Sequence, residues 1–167
     1  MGTLRLTLLR HGHAQPQDQA KEDFARQLSI RGRAEATTMG RRLAQIPLIP
    51  DLILASSAQR TQTTAQLLAA AASVPADRIQ YFDELYNASA HHMWDLATAH
   101  AGNAGHVLVC AHNPGISRLA TRLAAGTPEL ARPLDLPPAG LLSVQWRHGS
   151  WASLQQADAT AGQLLVP

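Results

Sequence analysis

The sequence is poor in several residues that would otherwise direct its interpretation: it has one cysteine, Cys110, one lysine, Lys21, and only 4% aromatic residues in 167. A lone cysteine excludes an internal disulfide framework and a cysteine-based zinc site, and it suits a reducing compartment, so a cytoplasmic location is expected. No apolar run approaches the roughly 20 residues that span a bilayer, and no membrane partner is expected. Arg5 interrupts the apolar run from Leu4 to Leu9, Arg10 ends it, and no small-residue cleavage site follows, which argues against a secretory leader. Met1-Gly2 opens like a myristoylation signal, but Leu6 stands where that signal needs a hydroxyl. An excess of one charge is also missing. The 14 basic residues face 12 acidic ones and are scattered along the chain, which argues against nucleic acid as a partner. What is present is 46% hydrophobic residues, enough for a sizeable core, so residues 1–167 are expected to form one globular domain. The basic set is nearly all arginine, the side chain whose planar fork matches phosphate or carboxylate oxygens.

Apolar periodicity alternates between short strands and helices. Leu4 to Leu9 reads as a strand that stops at Arg10-His11-Gly12. A helix follows Ile30, with Ala36, Met39, Leu43 and Ile46 on one face, and Pro47 and Pro50 break it before a second strand from Leu52 to Ala55. Ala65, Leu68, Ala69 and Ala72 mark the next helix, Ile79 to Phe82 a short third strand, and Ala90, Met93, Trp94, Ala97 and Ala101 another helix. Val107 to Ala111 is a continuous apolar run suited to a strand buried on both faces, and it ends at His112-Asn113-Pro114-Gly115. Ile116, Leu119, Ala120, Leu123 and Ala124 form the clearest helical stripe. After a Pro-rich loop from Gly126 to Gly140, Leu142, Val144 and Trp146 alternate as a strand. His148-Gly149-Ser150 reads as a hairpin turn into a last strand from Trp151, giving the sheet an antiparallel edge. This order predicts a three-layer αβα sandwich with a mostly parallel central sheet and right-handed crossovers.

In such sheets ligands bind beyond the carboxyl ends of strands, which selects three junctions: Arg10-His11-Gly12, Ser56 to Arg60, and His112-Asn113. Two histidines and two arginines converging there point to phosphate chemistry. Guanidinium groups neutralise a transferring phosphoryl group, and a neutral imidazole attacks phosphorus without a metal, forming a phosphohistidine that water hydrolyses. Gly12, lacking a side chain, is expected to let the backbone approach the phosphate.

Leu9-Arg10-His11-Gly12 resembles the Arg-His-Gly signature of the histidine phosphatase superfamily, also called the phosphoglycerate mutase-like family. Ser56 to Thr63 resembles the family's Ser-Pro-x-x-Arg-x-x-Gln-Thr segment, and Val109 to Gly115 its Gly-His-Asn-Pro segment, in the same order over nearly the whole chain. Only 51 residues separate Arg60 from His112, so no large helical insertion is expected. In this the chain resembles the small bacterial phosphohistidine phosphatases of the SixA type.

The resemblance implies that His11 accepts the phosphoryl group, Arg10 and Arg60 clamp it, and His112 stabilises charge, with Gly12 and Asn113 also at the phosphate. His13 stands where the family often has Glu, and Ala58 where proline is commoner. The general acid aligns ambiguously: Glu84 is one candidate, and Asp18, Glu22 and Asp23 in the loop after His11 are alternatives. No metal or organic cofactor is implied. The expected substrate is phosphohistidine on a signalling or phosphorelay protein. A small phosphorylated metabolite is the alternative, and a phosphate-binding regulatory module without catalysis is a reading from another class.

Other features have plainer explanations. The second Arg-His-Gly, Arg147-His148-Gly149, lies in the predicted hairpin turn and opens no helix. His13 with His11, and the pair His91-His92, are not completed by carboxylate or thiolate spacing into a metal set. Arg118 and Arg122, one turn apart, read as a solvated helix face, and Cys110 as a buried thiol.

Overall fold

The computed structural model describes residues 2–167. The elements run β1 (Leu4–Arg10), α1 (Ile30–Gln45), β2 (Leu52–Ser56), α2 (Gln59–Ala71), β3 (Ile79–Phe82), α3 (Ala90–His100), β4 (His106–Ala111), α4 (Gly115–Ala124), β5 (Leu141–Trp146) and β6 (Thr160–Leu165). They build one six-stranded sheet in the order β3-β2-β4-β1-β5-β6. β1 and β2 both run parallel to β4, and β3 runs parallel to β2. β5 is antiparallel to β1, and β6 to β5.

Strand composition explains this layering. Every residue of β4 is buried, as a central strand covered on both faces must be. Its side chains alternate: Val107 and Val109 join a core with Met93, Ala97, Ile116 and Leu119 from α3 and α4. Leu108 and Cys110 join the opposite core with Met39, Leu43 and Leu68 from α1 and α2. Burying each leucine removes apolar surface worth about 1.5–3 kcal/mol, so both cores hold the sheet from either side. α1 crosses α2 closely at Gly40, where an added Cβ would lie 2.4 Å from the Leu68 carbonyl oxygen. Serine caps start two helices: Ser29 Oγ accepts from Gly32 N in α1, and Ser89 Oγ from His92 N in α3.

The end of the chain departs from the sequence reading. The antiparallel edge exists, but no hairpin turn leads into a strand at Trp151. Trp151–Ser153 is a 3₁₀ turn and the edge strand starts at Thr160. The reason is the indole: Trp151 is buried and its Nε1 donates to the Ala104 carbonyl at 2.7 Å, which anchors it beyond the end of α3 and outside the sheet. The second Arg-His-Gly follows β5, whose Trp146 pairs with Leu4 at the start of β1, so it lies at the opposite end of the sheet from Arg10. No helix among the described residues is long and apolar enough to cross a membrane.

The order β2-β4-β1 matters most for the site. These strands are distant in sequence, yet adjacent and parallel in the sheet, so their carboxyl ends deliver His11, Ser56 and His112 side by side.

Candidate active site

The backbone after β1 is fixed from both sides. His11 N donates to Ala111 O at 3.2 Å, and Ala139 N donates to His11 O at 3.0 Å. The next residues are pinned by the helices: Gly12 N donates to Thr64 Oγ1 at 3.1 Å, and His13 N donates to Glu35 Oε2 at 2.9 Å. Gly12 therefore has a different use from the one expected. Its amide is committed to Thr64, and a Cβ on it would meet the Gly32 carbonyl oxygen at 2.5 Å. The missing side chain serves the close approach of α1, not of a phosphate.

Two contacts set the tautomer of His11. Nδ1 lies 2.8 Å from the Gly12 carbonyl, which only accepts, so Nδ1 carries the hydrogen. Arg60 Nε, which only donates, reaches His11 Nε2 at 3.3 Å, so Nε2 presents its lone pair. Burial is the largest influence on the ring and lowers its pKa to about 4, with Arg60, Arg10 and Arg26 adding to the effect against the Gly12 hydrogen bond. At neutral pH His11 is uncharged, with the Nε2 lone pair directed at the arginine.

His112 stands beside it, the two ring centroids 5.2 Å apart. Its Nε2 is 2.8 Å from Ser56 Oγ, while Nδ1 is buried without a hydrogen-bond partner among the described residues. Burial and then the neighbouring His11 push its pKa down to about 3.

These residues line a cleft of about 360 Å³ together with Arg10, Arg26, Arg60, His13, Asp23, Asn87, Asn113 and Pro138. The structure thus brings Arg10, His11, Arg60, His112 and Asn113 together. Asn113 Nδ2 is engaged by Asp135 Oδ1 at 2.9 Å. Arg10 reaches the Leu136 carbonyl through NH1 at 2.8 Å, and its buried Nε has no hydrogen-bond partner among the described residues.

Of the candidate acids, Glu84 does not reach the cleft. Glu84 is exposed on the 3₁₀ turn Asp83–Leu85 and does not line it. The carboxylate that does is Asp23, from the irregular segment between β1 and α1. Its Oδ2 accepts from Arg60 NH2 at 2.9 Å and from Tyr86 Oη at 2.7 Å, and its carbonyl accepts from Arg60 NH1 at 2.6 Å. Burial alone would raise the Asp23 pKa, but the hydrogen bonds from Tyr86 and Arg60 and the charges of Arg60 and Arg26 outweigh it and hold the carboxyl below its ordinary value. Tyr86 in turn packs edge-on against His112, with centroids 5.4 Å apart.

Arg26 and Tyr86 are the residues that sequence reasoning missed. Arg26 pairs with Asp23 Oδ1 at 3.0 Å, and its buried Nε has no hydrogen-bond partner among the described residues. The only signal for it is an arginine three residues after an acid in a loop rich in polar residues. His91 and His92 lie exposed at the start of α3, outside the cleft lining.

Comparisons with known proteins bear on the family and the fold. The model of the histidine phosphatase superfamily (branch 1) matches residues 6–94. The fold is similar to that of a candidate phosphohistidine phosphatase SixA from Agrobacterium tumefaciens, with a TM-score of 0.82 and 29% identity over 100% of this chain and 99% of that one. A second candidate SixA, from Nakamurella multipartitia, matches with a TM-score of 0.82 and 28% identity over 100% and 98% of the two chains. A candidate alpha-ribazole-5′-P phosphatase from Escherichia coli, at 18% identity and a TM-score of 0.67 over 98% and 96%, shares the fold. An uncharacterized chloroplastic protein of Arabidopsis thaliana is 42% identical over 60 residues, 36% of this chain, and the match spans only 28% of that protein's length.

Proposed function

The chain belongs to the histidine phosphatase superfamily, and we propose that it removes the phosphoryl group from phosphohistidine on a phosphorelay or signalling protein, with His11 as nucleophile. The observation that carries this reading is the state of His11: a neutral imidazole with Nδ1–H on the Gly12 carbonyl and an unprotonated Nε2 that accepts from Arg60, in a cleft also lined by Arg10 and Arg26.

In the first step Nε2 attacks phosphorus. The Nε2–P bond forms as the P–N bond to the substrate imidazole breaks, and the departing nitrogen takes a proton. The ring of the intermediate is cationic, and its Nδ1–H already has an acceptor in Gly12. Arg10, Arg26 and Arg60 neutralise the phosphoryl oxygens. With Ser56 donating to Nε2 of His112, Nδ1 carries the ring hydrogen and donates a hydrogen bond to another phosphoryl oxygen. Water then attacks from the open side: a P–O bond forms, the Nε2–P bond breaks, and inorganic phosphate leaves with His11 neutral again. The arginines and His112 supply the charge stabilisation, and the reading calls for no metal or organic cofactor.

Asp23 takes the proton-donor role in place of Glu84. An incoming phosphoryl group competes for Arg60 and adds negative charge beside the carboxylate. Both changes raise the Asp23 pKa, so it gains a proton that it passes to the leaving group.

The absence of a large insertion between Arg60 and His112 leaves the cleft open and supports a side chain on another protein as substrate. The test is phosphate release from a phosphohistidine-bearing phosphotransfer domain and from a small phosphate ester, with wild type and His11→Ala, in the presence of EDTA. Release from the phosphoprotein that disappears in the variant is expected. Turnover of the ester alone would replace this reading with a metabolite phosphatase, and binding without turnover of either would point to a regulatory module.

A further inference from the structure

A second groove, of about 510 Å³, adjoins the cleft. Pro114, Arg118, Thr121, Arg122, Pro133 and Leu134 line it, and Asn113 lines both it and the cleft. One wall is α4 and the other is the segment before β5, held by hydrogen bonds: Leu134 N donates to Thr121 Oγ1 at 2.9 Å and Leu136 N to Ser117 Oγ at 2.9 Å. The same segment anchors Arg10 through the Leu136 carbonyl. Asp135, the one acidic group at this groove, is occupied by Asn113. The polar groups of the walls satisfy one another, leaving proline rings and arginine stems to face outward over the buried Leu134 at the groove floor.

Arg118 and Arg122 are exposed one turn apart on α4, and neither guanidinium has an ion-pair partner among the described residues. A site for a small phosphate makes no use of an apolar trough with two free cations outside it. A protein carrying the phosphate does. We propose that this groove seats an acidic, apolar-faced helix of the phosphohistidine-bearing protein, while the phosphohistidine beside that helix enters the cleft past Asn113. The apolar side chains of the helix lie over Pro114, Pro133 and Leu134. Its carboxylates meet Arg118 and Arg122, whose one-turn spacing matches the i, i+4 repeat of a helical partner.

This inference rests on the phosphoprotein reading above, and the experiment separates the two. kcat/KM is measured for wild type and the Arg118→Glu/Arg122→Glu double variant on a phosphohistidine-bearing phosphotransfer domain and on free phosphohistidine. Both substitutions are on an exposed face, so unchanged turnover of free phosphohistidine, within twofold, reports an intact cleft. On the phosphoprotein a loss of about tenfold or more is expected, carried by KM, because charge reversal at a rim slows association. The loss should shrink at 0.5 M salt, where screening leaves only a few ångströms of range.

Wild-type turnover of the phosphoprotein with no loss in the double variant would overturn the groove and leave the phosphatase reading standing. An equal loss on both substrates would overturn it also, by moving the effect into the cleft. Wild type that turns over only small substrates would remove both. Light scattering closes the remaining route: a wild-type dimer broken by the double variant would make a second copy of this chain the occupant and refute the proposal.

Discussion

Asp23→Asn tests how the cleft changes from its empty state to its loaded one. All three nitrogen positions of Arg60 are spoken for: Nε by His11, NH1 by the Asp23 carbonyl and NH2 by its carboxylate. A phosphate must displace that carboxylate. Asparagine keeps the size and an oxygen for Tyr86 but removes the competing charge. The Arg60 side chain is 4% exposed and that of Asp23 34%, so the pair lies between surface bridges, worth under about 1 kcal/mol, and buried ones, costing about 3–5 kcal/mol to break. After discounting for solvent screening at Asp23, about 1–2 kcal/mol returns to phosphate binding, roughly a 5- to 30-fold tighter dissociation constant. Calorimetric titration with inorganic phosphate measures it directly. The same substitution removes the proton donor, so kcat on an alkyl phosphate ester should fall by about 10²-fold or more. The fall on phosphohistidine should be smaller, because its leaving nitrogen is basic enough to draw a proton from water. Phosphate binding that is unchanged or weaker in the variant would refute the argument and make Asp23 a strut for Arg60. An unchanged kcat on the ester would remove the donor role.

His11→Ala should abolish the alkali-stable, acid-labile phosphoryl label that wild type retains after a denaturing quench during turnover; label persisting in the variant would exclude His11 as nucleophile. Because the pKa of His11 is lowered to about 4, its neutral form persists well below pH 6.5. The kcat/KM profile should therefore keep its His11-dependent activity from neutral pH down to about 5 and lose it as pH falls through about 4. Stability responds over a wider window. His11, His106 and His112 all have lowered folded-state values, to about 4, 4 and 3, so below about pH 6.5 the unfolded chain binds protons that the folded one refuses. Tm should drop progressively from pH 7 to pH 4, and a flat Tm would contradict the burial of these rings. Gly32→Ala, inside α1, would gain about 1 kcal/mol by helix propensity alone. Its Cβ would lie 2.0 Å from the His13 carbonyl oxygen, so a net destabilisation of about 1–3 kcal/mol or more is expected in denaturant titrations.

Much of this site is legible in the chain because strand ends are local features. The apolar runs stop at Arg10, Ser56 and Ala111, and the residues that follow are the ones the sheet brings together. The β4 run and the α4 stripe are equally plain, since a period of two or of 3.6 records which faces are buried. Glu84 shows the limit of that logic. It aligns only ambiguously with the family's acid, its side chain is exposed, and the carboxylate at the cleft comes from Asp23 in a stretch with no periodicity. Trp151 is a similar case: an aromatic after a Gly-containing turn reads as the start of a strand, yet the hydrogen bond that decides its position is to Ala104.

By itself, then, the sequence determined the alternation of strands and helices, the three junctions and the chemistry of their side chains, because hydrophobic period and residue type are written locally. Only the tertiary structure decided that Asp23, Arg26 and Tyr86 close over those junctions, that Gly12 is small for the sake of α1, and that a groove along α4 opens beside His112's neighbour Asn113. Those outcomes depend on which charged and polar groups pair across long loops, and the energy of each pairing lies in atoms that are remote along the chain and adjacent only after the sheet has formed.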